Sequence, residues 1–225
     1  MTSNERWALV NAAGLLVATA GTAWFRTLDP LLVAGLVMLG ALVVTGRGRW
    51  TPQGDFGLAN GVTAVRVGLL GFLPLTAAAG AAYLIVLSLL ILALDGLDGW
   101  LARRHALSSE FGAFFDKETD ALFLLLLCGV AAFQGPLPVW ILGAGLLRYG
   151  FVLVLFFLPV PETTESRSTV ARYVYGCMIG ALLASFLPYP LLYRPLVTVA
   201  TAALLFSFVR SLWEVVPARQ ALWHW

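Results

Sequence analysis

The run AAYLIVLSLLILAL, residues 81–94, carries no charge, and neither does ALFLLLLCGVAAF, residues 121–133. Apolar runs of this kind constrain the chain more than any other feature, because a backbone without water must satisfy its own N–H and C=O groups. Only helices and closed barrels manage that inside a bilayer, and a helix needs about 20 mostly apolar residues to cross. Eight runs meet the description, at 7–25, 30–46, 58–78, 80–104, 111–133, 137–157, 168–187 and 194–214. The chain is 60% hydrophobic and 12% charged, about half the charge of a soluble domain. The expected class is therefore an all-α integral membrane protein. The run 58–78 contains Pro74, which predicts a kink, and 30–46 is short for a span. Residues 7–25 resemble a signal peptide only weakly, with Arg6 as the sole basic flank and a second apolar run close behind, so they read as a retained helix.

With the amino terminus inside, Arg6, Arg47, Arg49, Arg66, Arg103, Arg104, Lys117, Arg167, Arg172, Arg210 and Arg219 fall on the inner face. Only Arg26 and Arg194 fall outside, and Arg148 lies mid-helix. That asymmetry orients the protein, with Trp7, Trp50 and Trp213 at the inner interface and Trp24 and Trp140 at the outer one. The basic residues are scattered and the net charge is +2, which excludes a nucleic-acid surface. Cys128 and Cys177 sit in apolar runs without metal-ligand spacing and read as buried small hydrophobes. The polar segment GRGRWTPQGDFG divides the chain. Two helices occupy 1–50, a cytoplasmic linker 51–57, a six-helix unit 58–216 and a cytoplasmic tail 217–225.

Between the two longest apolar runs lies DGLDGWLARRHALSSEFGAFFDKETD, residues 95–120. Asp95, Asp98, Gly99 and Ala102 share one helix face at i, i+3, i+4 and i+7; Gly112, Asp116 and Asp120 share another at i, i+4 and i+8. If the faces meet, four carboxylates converge. With Arg103 and Arg104 at the interface, Asp98 lies ~8 Å and Asp95 ~12 Å inside it, at about 1.5 Å per residue. Charges at such depth cost on the order of 2.5 to 3.5 kcal/mol each, so they call for cations. No His or Cys joins the cluster, and hard oxygen donors favour Mg²⁺, Mn²⁺ or Ca²⁺. Four carboxylates suit two such ions clamping a phosphoryl group. The small residues Gly99, Ala102 and Gly112 let a ligand approach the backbone, and Arg103 offers a charged donor to phosphate.

Written as D-x2-D-G-x2-A-R-x8-G-x3-D-x3-D, the stretch resembles the signature of the CDP-alcohol phosphatidyltransferase family. A second segment, NGVTAVR at 60–66, is similar to the N-x-x-T-x-x-R pattern that opens the first core helix of that family. The resemblance implies a six-helix core, with the first two helices as an addition. It implies transfer of a phosphatidyl group from CDP-diacylglycerol to a hydroxyl acceptor with release of CMP. Carried over, Asp95, Asp98, Asp116 and Asp120 bind two divalent cations, Mg²⁺ or Mn²⁺. Asp98, Gly99, Ala102, Arg103 and Gly112, with Asn60 and Thr63, line the CDP pocket, and Asp120 is the general base. A homodimer is also implied; the arginine asymmetry, for its part, puts the site on the cytoplasmic face, among the lipids of a bacterial-type inner membrane.

The acceptor lies outside the signature. Glycerol phosphate, inositol phosphate, inositol, serine or another lipid's hydroxyl are all used in the family. Arg148, Arg167 and Arg172 are candidate readers of an acceptor phosphate, which leans the expectation toward a phosphorylated polyol. Arg167 and Arg172 also suit inner-face anchoring, whereas Arg148 at mid-membrane requires a partner: a bound phosphate or a carboxylate. Two other uses of the aspartates stay open: a Mg-dependent intramembrane prenyltransferase and a cation transporter. The first normally has two separated aspartate motifs, but after Asp120 only Glu162, Glu165 and Glu214 remain. The second predicts broken midplane helices in two corresponding halves, and only Arg148 and Pro74 resemble that pattern.

Overall fold

The computed structural model describes residues 3–104, 109–157 and 169–215. Every regular element among them is helical. Helices α1 (Ser3–Phe25) and α2 (Asp29–Thr45) form a hairpin. Its tight turn places Arg26 at φ 54°, and the Thr22 hydroxyl accepts from the Leu31 N–H at 3.3 Å, satisfying a donor in the first turn of α2. The polar linker follows, with the Trp50 indole donating to the Val43 carbonyl at 2.9 Å.

The expected span 58–78 is two helices, α3 (Leu58–Leu70) and α4 (Leu73–Ala79), bent by 47°. The break falls at Gly71 and Phe72, ahead of Pro74, because proline is accepted in the first turn of a new helix and opposes continuation of the old one. Helices α5 (Ala81–Arg104) and α6 (Glu110–Phe133) follow. The Ser109 side chain caps α6, accepting from Gly112 N–H at 2.9 Å while donating to the Trp50 carbonyl at 2.6 Å. A single 3₁₀ turn, Val139–Ile141, leads into α7 (Leu142–Phe157), followed by α8 (Thr169–Ala184) and α9 (Pro190–Val215). Among the described residues four helices are long and apolar enough to cross a membrane, five if the bent pair counts as one span. The chain is an integral membrane protein.

Helix α6 is the axle of the bundle. Its residues 121–131 are buried on every side, as expected of a helix apolar all round. Helices α2, α3, α4, α7 and α8 pack around it. Two glycines allow the closest approaches: a Cβ on Gly145 would lie 2.7 Å from the Leu125 Cα, and one on Gly35 would lie 2.4 Å from a Leu122 methyl. Apolar side chains such as Val17, Val33, Val86 and Phe206 point outward, as lipid-facing residues do. Cys177 corrects the expectation of burial: it lies on the exposed face of α8, whereas Cys128 is buried at the centre of α6. Hydrophobic sequence context marks burial in water, but in a bilayer the same composition faces lipid.

Candidate active site

Helix α3 turns one face inward, made of Asn60, Thr63, Arg66 and Leu70. The segment NGVTAVR is thus a helical stripe whose polar members share a side at i, i+3 and i+6. Arg66 is fully buried, inside the bundle rather than exposed as an interfacial anchor. Its guanidinium lies among carboxylates from two other helices, with NH1 3.1 Å from Asp95 Oδ1 and 2.7 Å from Asp116 Oδ1, and NH2 donating to Asp120 Oδ1. Asp95, Asp116 and Asp120 bring one oxygen each to within 4.8 Å of one another. Their side chains are 37%, 31% and 27% exposed, so the cluster opens toward a ligand while its arginine is sealed beneath.

Three carboxylates against one guanidinium leave excess negative charge, and the oxygens are close enough to share one ion. This donor set fits a hard divalent cation. The backbone of Asp98 lies in α5 one turn from Asp95, but the side chains of Asp98, Ala102 and Arg103 lie outside the described residues, as does Arg167. Gly99 is half-buried on the same helix.

Asn60 and Gly112 are brought together. The Asn60 amide donates to the main-chain carbonyls of Trp50 at 3.0 Å and Phe56 at 2.8 Å, and a Cβ on Gly112 would stand 2.9 Å from Asn60 Oδ1. Both residues join the linker, α3 and α6 beside the cluster. Thr63 is buried and donates to the Ala59 carbonyl at 3.2 Å. Sequence reasoning missed Tyr175 of α8, whose hydroxyl donates to the Asp120 main-chain carbonyl at 3.1 Å. Arg172 is exposed one helical turn earlier, on the same side of α8.

Arg148 is the remaining candidate, and its partner is a carboxylate outside the cluster. Its NH2 lies 2.8 Å from Glu118 Oε1, and Asn11 of α1 donates to Glu118 Oε2 at 3.0 Å. Glu118 sits between Asp116 and Asp120 in sequence, yet about 200° around the helix from each, at 100° per residue.

The CDP-alcohol phosphatidyltransferase family model matches residues 56–213. The chain belongs to that family. The chain is similar to relatives of two kinds.

 

One, from Drosophila melanogaster and named probable cardiolipin synthase (CMP-forming), is 32% identical over 139 residues, covering 58% of this chain and 40% of that protein. Another, from Arabidopsis thaliana and named CDP-diacylglycerol–glycerol-3-phosphate 3-phosphatidyltransferase 2, is 49% identical over 51 residues, covering 20% of this chain and 22% of the relative. The chain thus aligns with less than half the length of either. No solved structure matches it. The family match begins two residues before α3, so α1 and α2 precede the phosphatidyltransferase region.

Proposed function

We propose that this phosphatidyltransferase-family chain moves a phosphatidyl group from CDP-diacylglycerol to the hydroxyl of a small polar acceptor and releases CMP. The observation that carries the reading is the convergence of Asp95, Asp116 and Asp120 from two helices within 4.8 Å. Asp95, Asp98, Asp116 and Asp120 would hold two divalent cations, Mg²⁺ or Mn²⁺. Bound there, such ions would neutralise the diphosphate and make CMP a better leaving group. Asp98, Gly99, Ala102, Arg103 and Gly112, with Asn60 and Thr63, would line the cytidine diphosphate pocket. Arg66 engages Oδ1 of Asp120, which leaves Oδ2 to take the acceptor's hydroxyl proton. The acceptor oxygen bonds to the phosphatidyl phosphorus as the bond to the bridging oxygen breaks, and CMP departs with that oxygen.

The preferred acceptor is a phosphorylated polyol. Arg172, exposed one turn from the Tyr175 that touches Asp120, supports it, and the printed name of the Arabidopsis relative includes glycerol 3-phosphate. Arg167, five residues earlier, is a second candidate reader. The distribution of arginines supports a cytoplasmic site in a bacterial-type inner membrane, and family likeness supports a homodimer.

The test is CMP release by purified protein in liposomes with CDP-diacylglycerol, Mg²⁺ or Mn²⁺, and one acceptor at a time. Acceptor-dependent release is expected, reduced about 10²- to 10⁴-fold in Asp120→Asn, the usual range for loss of a general base. Folded, cation-binding protein that releases no CMP with any acceptor would overturn the reading.

A further inference from the structure

Helix α6 is held from two opposite sides by buried polar contacts. On one side Arg66 grips Asp116 and Asp120. On the other, Glu118 is 2% exposed and receives Arg148 of α7 at 2.8 Å and Asn11 of α1 at 3.0 Å. Asn11 is itself 2% exposed. Trp7, one turn before it on α1, meets Phe114, one turn before Glu118 on α6, edge to face at 5.5 Å. The α1 contact is therefore a matched pair of turns, apolar then polar.

We propose that Asn11, Glu118 and Arg148 are positioning residues that fix the rotation of α6 about its axis, and through it the spacing of the Asp116 and Asp120 carboxylates. This makes α1, which precedes the family region, a working part of the site. The inference rests on the proposed cation-dependent chemistry. A rotation of about 20° moves a side-chain atom ~5 Å from the helix axis by roughly 2 Å. Metal and catalytic geometries tolerate only about 0.5 Å, so a small loss of register is enough to matter. A buried glutamate paired with arginine is a poor source of net stability, because desolvation offsets attraction; fixing one arrangement among several is its better-supported use.

The test compares full-length wild type with Asn11→Leu and with the double variant Glu118→Leu/Arg148→Leu. The first removes one hydrogen bond and uncovers no charge; the second removes both charges together, so neither depends on tolerating a lone buried ion. Mn²⁺ affinity is measured by electron paramagnetic resonance in detergent without donor or acceptor, and CMP release is measured in liposomes. Both variants are expected to fold, to bind Mn²⁺ about tenfold more weakly, and to lose kcat about tenfold with the acceptor KM unchanged. Restoring the amide with Asn11→Gln is expected to recover part of both losses. Folded variants with wild-type Mn²⁺ affinity overturn the inference. So does a rise in acceptor KM alone, which would instead make Arg148 a reader of the acceptor. Wild type that binds Mn²⁺ but releases no CMP defeats the transferase reading, while the Mn²⁺ comparison still decides this one.

Discussion

Arg66 is the residue on which the charge balance of the cluster depends. Fully buried and within 3.1 Å of carboxylates on α5 and α6, it offsets part of the repulsion that Asp95, Asp116 and Asp120 would otherwise exert on one another. Removing one partner of a buried ion pair costs about 3 to 5 kcal/mol. In Arg66→Met the metal-free protein is expected to melt on the order of 10 °C lower, at about 2 to 4 °C per kcal/mol for a chain of this size. A cation that binds the native state restores stability by mass action, so Mg²⁺ should raise the melting temperature of the variant more than that of wild type. Equal Mg²⁺ shifts in the two proteins, followed by thermal unfolding in detergent, would show that Arg66 is not a countercharge to the cluster.

Tyr175 acts at the same scale. Tyr175→Phe deletes the 3.1 Å bond to the Asp120 carbonyl and leaves the ring packed, a loss of about 1 kcal/mol. CMP release is expected to fall roughly fivefold, with folding retained; an unchanged rate would separate α8 from the placement of Asp120. The aspartates were legible in the sequence because helical periodicity alone assigns Asp95, Asp116 and Asp120 to faces. Arg66 was not, since counting arginines by side of the membrane treats each as an interfacial charge and says nothing about burial. Its signal was the polar stripe with Asn60 and Thr63 on an otherwise apolar helix.

At the scale of elements, the runs of apolar sequence located the helices well, and the departures have local causes. The chain breaks at Gly71 because Pro74 suits the first turn of α4, and α7 begins with a 3₁₀ turn after Pro138. What the runs did not reveal is which helix is central. Hydrophobicity all round a helix fits both a lipid-exposed span and a buried one, and only packing distinguishes α6 from α5. The glycine that lets α7 approach α6 gives a direct check. A side chain at Gly145 meets the Leu125 backbone, which cannot rotate away. Gly145→Val is therefore expected to lower the melting temperature by several degrees, overpacking of this kind costing about 1 to 3 kcal/mol. The same change at Gly143, which has open space around it, should be nearly silent. Similar losses at both positions would mean that the α6–α7 approach is looser than these contacts describe.

For the whole molecule the question is whether α1 and α2 are an appendage or part of one unit. The sequence separated them at a polar linker, and the family match begins beyond it. Packing joins them again: α1 lies against α2 and α7, and α2 lies against α6. Leu28 and Leu31, between and within these helices, reach Gly129 of α6, and Phe111 fills the space beside Gly46. The hairpin therefore covers α6 along most of its length. Removing residues 1–45 would uncover Glu118 and its arginine on a face now sealed by α1, and lipid offers such a pair nothing in exchange. The shortened protein is expected to aggregate on extraction or to elute without a monodisperse peak. Supplying residues 1–57 as a separate chain in the same membrane should restore a co-purifying, monodisperse complex, because the hairpin meets α6 and α7 through helix-to-helix packing. A shortened protein that extracts cleanly, and melts like wild type without the added hairpin, would show that the remaining helices suffice and that α1 and α2 serve another purpose.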